Sequence, residues 1–295
     1  MATINAGGLF PSTVVTEMFN VVKGHSALAK LSDQTPIPFN GVTEFVFSAA
    51  GEAALVGEGG AKPAGNAAVT AKVIKPVKFV YQQRVSDEFM KAGDEVRLQY
   101  LTAFAEGFGR KIARGFDIAA MHGIEPATRA DASFKSTNSF DGLVNNLVTY
   151  SAANIDANID TAIQAITDGE VNGLALSATA GAALAALKVN GVPQYPEYRF
   201  GQNPDSFYGM RSDVNTTVSV TGTATGSQTD HVIVGDFQNG FKWGYSANIP
   251  LDVILYGDPD GAGRDLKQYN EVCLRAEAYI GWGILDADAF GIVKA

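Results

Sequence analysis

The sequence predicts an α+β protein, and three observations predict it. One long stretch, 95–122, has the period of an amphipathic helix. Two β-rich stretches flank a glycine-rich segment between residues 42 and 85. The second half alternates short helical and strand patterns rich in turn residues. The chain has 295 residues, of which 46% are hydrophobic and 18% charged. That is ample apolar material for a core.

Residues 1–40 read as an arm. Gly7, Gly8 and Pro11 open it, and a short amphipathic helix is predicted over 13–22, with Val14, Met18 and Val21 or Val22 on one side. The arm has little apolar content of its own, so it is expected to lie on another surface. Residues 42–49 then form an outgoing strand with Phe45, Val46 and Phe47. A returning strand is read over 72–82, where Val73, Lys75, Val77, Phe79 and Tyr81 alternate with their neighbours. Pro76 places that strand at an edge. The intervening tip, 51–69, carries glycines at 51, 57, 59, 60 and 65. Loops of such length are usually functional or disordered, and a lone two-stranded hairpin is marginal in water. This hairpin is therefore expected to rest on a partner.

Residues 87–92 form a short turn that Gly93 breaks, and the long helix follows to His122, stopped by Gly123. Tyr100, Phe104, Phe108, Ile112 and Phe116 recur every four residues and predict a core-facing stripe. About 28 residues at ~1.5 Å each make a rod of roughly 42 Å. His122 is expected to cap its C-terminus and meet the helix dipole. Residues 140–255 read as a separate mixed unit. It holds a helix after Asn154 with Ile155, Ile159, Ile163 and Ile166, a strand 173–176, an alanine-rich helix to Lys188, and strands near 232–236, 241–245 and 251–256. Residues 266–282 are extended, 286–289 turn, and 290–294 form a last strand.

The formal net charge is −9. Residues 1–150 balance 14 basic against 14 acidic side chains, whereas 151–295 carry 8 against 17. No acid stands between Glu58 and Asp87, so Lys62, Lys72, Lys75, Lys78 and Arg84 make one segment locally basic. Such asymmetry can steer a segment toward an opposite-signed surface, and a solvated basic strand pair is the alternative reading. An acidic chain is a poor candidate for wrapping free nucleic acid. One cysteine, Cys273, excludes an internal disulfide and a multi-cysteine metal site, and reducing compartments suit it. Three scattered histidines predict no metal cluster, no run reaches membrane-spanning length, and the N-terminus lacks a secretory pattern.

Several motifs fail on their chemistry. Residues 57–63, ending in Lys62 and Pro63, have a proline where a phosphate-binding loop needs Ser or Thr. Asp258-Pro259-Asp260-Gly261 lacks the further ligands of a calcium loop and reads as a surface turn. No Gly-x-Ser-x-Gly elbow accompanies the Ser, His and Asp residues. No cofactor, metal or catalytic set is expected, and the chain is read as a structural protein, not an enzyme.

The order of elements is an arm, a basic hairpin with a glycine-rich tip, a long helix, a mixed unit and a closing extended segment. With it go Leu55-Val-Gly-Glu58-Gly-Gly-Ala-Lys62-Pro63, Val85-Ser86-Asp87-Glu88, Phe116-Asp117 through Gly123, Val232-Ile-Val-Gly235-Asp236-Phe237, and Arg275-Ala-Glu277 followed by 287–290. Together these resemble the major capsid proteins of tailed bacteriophages with the HK97-type fold. The resemblance implies an N-terminal arm (1–40), an E-loop hairpin (41–85), a peripheral domain with the spine helix 95–122 (86–140 and 256–284) and an axial domain (141–255 and 285–295). It implies hexamers and pentamers closed head to tail into an icosahedral head around double-stranded DNA, which the shell touches only weakly and non-specifically. Glu58, Lys62, Lys72, Lys75, Lys78 and Arg84 become candidates for contacts between subunits.

The resemblance also implies a portal, a possible decoration protein and a virion location after synthesis in the bacterial cytoplasm. The chain starts almost directly at the arm, so a separate scaffolding protein, or none, is expected. One branch of that family crosslinks its shell through a Lys, an Asn and a promoting Glu. Lys62, Asn270 and Glu277 fall at the matching positions, although most relatives do not crosslink. Two other readings are an encapsulin-type compartment shell and a tail or decoration protein, and the long helix argues against the second.

Overall fold

The computed structural model describes residues 21–295 except 23, 51–54, 63–65, 92, 168 and 247–250. The amphipathic helix expected over 13–22 lies almost wholly outside the described residues. The elements in chain order begin with α1 (Ala27–Leu31), β1 (Val42–Ala50), β2 (Asn66–Ile74), β3 (Val77–Ser86), α2 (Glu88–Lys91) and α3, the spine helix (Asp94–His122). Then come α4 (Phe140–Leu143), β4 (Leu147–Thr149), α5 (Ile155–Gln164), β5 (Gly173–Leu176) and α6 (Ala178–Ala186). The strands that follow are β6 (Lys188–Val189), β7 (Val192–Pro193), β8 (Ser206–Phe207), β9 (Met210–Val214) and β10 (Asp230–Gly235). The last four are β11 (Phe241–Tyr245), β12 (Leu251–Ile254), β13 (Glu271–Ile284) and β14 (Phe290–Lys294).

Two sheets and a projecting ribbon organise these elements. In the first sheet, the 14-residue β13 pairs with β3 along one edge and with β12 and β11 in succession along the other. The second sheet has the order β4-β14-β10-β5-β9-β8. The ribbon is β1 paired antiparallel with β2, from Val42 opposite Ile74 to Ala50 opposite Asn66. Strands β11 and β12 fall within residues 141–255, yet their hydrogen bonds join them to β13 of the 256–284 block.

One expectation is corrected here. The stretch 72–82 is not one returning strand. Pro76, which has no N–H to donate, falls between β2 and β3, and the two strands join different partners. Period-2 alternation runs on through the break, so the pattern alone does not register the change of sheet.

The spine helix forms where its spacing predicts. Gly93 stands at its N-cap, and Gly123 ends it with φ +61° and an N–H donated to the Ala119 carbonyl. A Cβ at 123 would lie 2.7 Å from the Lys135 backbone, so this stop needs glycine for space as well as for handedness. Phe104, Phe108, Ile112 and Phe116 are buried, whereas Tyr100 is 38% exposed. Phe116 packs on Trp243 and Trp282 of the first sheet at ring separations of 5.1 and 5.8 Å. Each tryptophan indole donates to a backbone carbonyl, of Ser32 and Asn138 respectively, so burying it leaves no polar group unpaired. A second core lies between the six-stranded sheet and helices α5 and α6, around Ile155, Ile159, Leu174, Leu184, Val232 and Val293.

The described part of the arm also departs from expectation. Val22, Leu28, Leu31 and Ile37 are buried in the chain's own core. The Thr35 and Ile37 N–H groups donate to the Trp243 and Tyr245 carbonyls and cover the free edge of β11. Asp117, in the spine helix, accepts hydrogen bonds from the Ala27 and Leu28 N–H groups and from the Ser26 and Thr217 hydroxyls. A few apolar residues suffice because this carboxylate caps α1 from outside. His122 does not act as a simple C-cap. It is buried and turned toward Asp141, Asp230 and Thr217.

Candidate assembly surface

The ribbon β1–β2 presents two unlike faces. Strand alternation puts Thr43, Phe45 and Phe47 on one of them, and the register adds Val73, Ala71 and Val69 opposite. Phe45 is 73% exposed and Phe47 66%, and Val69 and Val73 are also exposed. The other face is anchored at its base. Glu44 pairs with Lys242 at 2.5 Å, the Lys72 ammonium donates to the Ile284 carbonyl at 3.1 Å, and Ile74 is buried against Gly281 and Gly283. A ribbon anchored on one side therefore carries a contiguous apolar strip on the other. Exposed apolar strips of this kind mark contact sites.

At the tip, Leu55 and Val56 are exposed as well. A turn follows at Gly57–Gly60, where the Gly60 N–H donates to the Gly57 carbonyl. Glu58 and Lys62 are exposed beside it. Pro63 lies outside the described residues.

The structure separates the six residues singled out by charge. Glu58 and Lys62 sit at the tip, Lys72 on the ribbon, and Lys75 in the bend before β3. Lys78 and Arg84 belong to β3 and so to the first sheet. Lys78 pairs with Glu277 at 2.8 Å, which raises its pKa above the usual lysine value, the hydrogen bond to Glu277 outweighing desolvation. Arg84 pairs with Asp258 at 2.5 Å, with Glu271 at 3.1 Å and with Asp260. The Arg84 hydrogen bond, with its charge, holds Asp260 well below the usual carboxylate range. The Asp258–Gly261 turn is thus the surface turn expected, and it serves as the counter-charge of Arg84. Among the described residues, Lys62 and Lys75 have no ion pair.

The residues matching a crosslinking set are likewise placed. Lys62 is exposed at the tip. Asn270 is exposed, in the left-handed conformation at φ +54°, immediately before β13. Glu277 lies seven residues further along that strand, engaged by Lys78. One further pair drew no notice in the sequence. Ser177 Oγ lies 3.2 Å from His231 Nδ1, at a strand-to-helix turn. The hydroxyl is buried and accepts the Ala180 N–H, so it caps α6. His231 stacks on Tyr150 at 3.7 Å, and burial lowers its pKa.

A spine helix over a sheet, a second mixed sheet and a projecting ribbon together make the HK97-type capsid fold. The model of the phage capsid family matches residues 6–295, and the chain belongs to that family. It is a phage capsid shell protein, and its place is the capsid of the virion. A solved structure from Mycobacterium phage Ogopogo is 32% identical, with a TM-score of 0.77 over 92% of each chain. One from Gordonia phage Cozz is 25% identical, with a TM-score of 0.73 over 92% of this chain and 86% of that one. The capsid of a native GTA particle shares the fold at 13% identity and a TM-score of 0.59, over 91% of this chain and 89% of its own. Among curated proteins, none matches the sequence.

Proposed function

We propose that the chain assembles head to tail as hexamers and pentamers into an icosahedral head that encloses double-stranded DNA. The observation that carries this is the apolar strip of the ribbon, Phe45, Phe47, Val69 and Val73, which its own chain leaves uncovered. A second copy is the occupant that a closed, repeating shell supplies. The ribbon then lies across the neighbouring subunit, with Leu55, Glu58 and Lys62 at its far end. The role is structural, without catalysis. The shell is held without covalent links, because the Glu277 carboxylate that would serve as base is engaged by Lys78 within the same chain. A portal and a scaffolding protein are the expected partners, a decoration protein is a further candidate, and the chain is made in the host cytoplasm.

Electron microscopy of the purified protein, paired with sedimentation, tests the reading. Shells or rings of five or six subunits are expected from the natural sequence, alone or with its scaffold. The double variant Phe45→Ser, Phe47→Ser should fold but sediment as a 31 kDa monomer. Particles assembled as well by the variant as by the natural chain would overturn the role of the strip. A boiled denaturing gel of mature particles should give monomer; a ladder of covalent oligomers would restore the crosslinking set.

A further inference from the structure

The last turn of the spine helix carries His122, 1% exposed. Its Nε2 lies 2.9 Å from the Thr217 carbonyl oxygen, and its Nδ1 lies 3.0 Å from Asp141 Oδ2 and 3.4 Å from Asp230 Oδ2. Carbonyls and ionised carboxylates only accept hydrogen bonds, and a neutral imidazole has one N–H to give. Either neutral tautomer would point a nitrogen lone pair at an oxygen in a buried site. With both carboxylates ionised, both nitrogens carry protons and His122 is an imidazolium.

Lys294 closes the arrangement. Its ammonium lies 2.5 Å from Asp141 Oδ1 and 3.3 Å from Asp230 Oδ1. Each carboxylate thus turns one oxygen to the histidine and the other to the lysine, and the four side chains form a ring of alternating sign. Two positive and two negative charges cancel, which makes their joint burial tolerable. Asp230 is fully buried, and the cations that face its two oxygens are His122 and Lys294, at 3.4 and 3.3 Å. The ring members come from four elements: the spine helix, α4, β10 and β14. A cavity of about 130 Å³ adjoins them and is also lined by Lys135, whose charge is paired with Asp131 at 2.7 Å. His122, Asp141 and Asp230 have the donor types of a metal site. The two cations already present neutralise both carboxylates, so a divalent ion would have to expel a proton and the lysine.

We propose that this ring is a pH-operated latch, closed by the His122 imidazolium, that fastens the end of the spine helix to the paired strands β10 and β14 of the second sheet. Burial opposes the imidazolium, but Asp141 and Asp230 outweigh it and hold its pKa up to about 9. A folded-state value above the ordinary 6.5 means the latch contributes fully below about pH 6.5 and loses its contribution as pH rises through about 9. Above that, two buried carboxylates face one ammonium, and one imidazole nitrogen turns its lone pair on an oxygen. On the acid side, Asp141 is pressed down to about 2 against its own desolvation by His122 and Lys294, whereas burial raises Asp230. Asp230 is therefore the first carboxylate of the ring to take a proton.

The test uses the full chain labelled with ¹⁵N-histidine, whose three residues, His25, His122 and His231, give a countable spectrum. Solid-state NMR at pH 8 should show one imidazolium, absent from the His122→Gln variant. Hydrogen exchange, corrected for intrinsic rate, should accelerate at least tenfold in segments 118–123 and 290–294 between pH 8 and pH 10. Segment 80–84, which pairs with β13 in the first sheet, should not follow. If His122→Gln fails to fold, the natural chain alone still decides through its spectrum and exchange. A neutral His122 at pH 8, or an imidazolium whose titration leaves 290–294 unmoved, would overturn the latch. So would Zn²⁺ that shifts the His122 resonances at pH 7, which would make the ring a metal centre.

Discussion

Asp117 shows how one side chain secures a segment 90 residues away. It accepts hydrogen bonds from Ser26, Ala27, Leu28 and Thr217 at 2.5–3.3 Å while fully buried. Burial pushes its pKa up to about 6, against the pull of those four donors. Its own contribution to stability therefore falls as pH rises from about 3.8 through 6 and is flat beyond. Asp117→Asn should destabilise the protein by about 2–4 kcal/mol, because a neutral amide accepts fewer of these donors. Denaturant unfolding measures that loss, and faster proteolysis before residue 38 should accompany it. The sequence put Asp117 in a family-like helix end, but nothing near it in sequence points to α1. Its partners were illegible because the bond spans the fold.

Elements with local signals were legible to within a residue or two. The spine helix, β5 and β14 follow from spacing, caps and glycine stops that lie inside the segments themselves. What failed was partner choice. The 72–82 stretch alternates cleanly, yet whether it pairs with β1 or β13 depends on residues about 190 positions away. The arm's docking was hidden in the same way. Its seat is Gly244, where an added Cβ would stand 1.7 Å from the Thr35 carbonyl oxygen. Gly244→Ala should thus detach residues 34–37 from β11 and cost more than about 2 kcal/mol of stability. Gly107 is the contrasting case, exposed in the helix with nothing within 4 Å of an added Cβ. Gly107→Ala should raise stability by about 0.5–1 kcal/mol, read as a higher Tm. An unchanged or lower Tm would place a neighbour against that position.

At the scale of the whole molecule, the proposed association draws on both charge and apolar surface. The ribbon's strip offers bare apolar area, while Lys62 and Lys75 are exposed and residues 151–295 hold the acidic excess. Raising ionic strength from about 0.05 to 0.5 M, which shortens the Debye length several-fold, should weaken assembly followed by light scattering. Lys62→Ala with Lys75→Ala should flatten that salt dependence, and assembly indifferent to salt would remove charge from the account. The candidate surface was half legible in sequence: the hairpin's poverty of core could be read, but the face of the ribbon left bare depended on its register. The order of the second sheet carries a consequence for the chain's birth. Strand β14 lies between β4 and β10, and Lys294 completes the ring at the end of the spine helix. While residue 294 is still inside the ribosome, β10 has no neighbour on that side and two buried acids lack their lysine. The second sheet and the ring therefore close only once β14 has emerged, and a nascent chain still lacking that strand cannot present the complete fold.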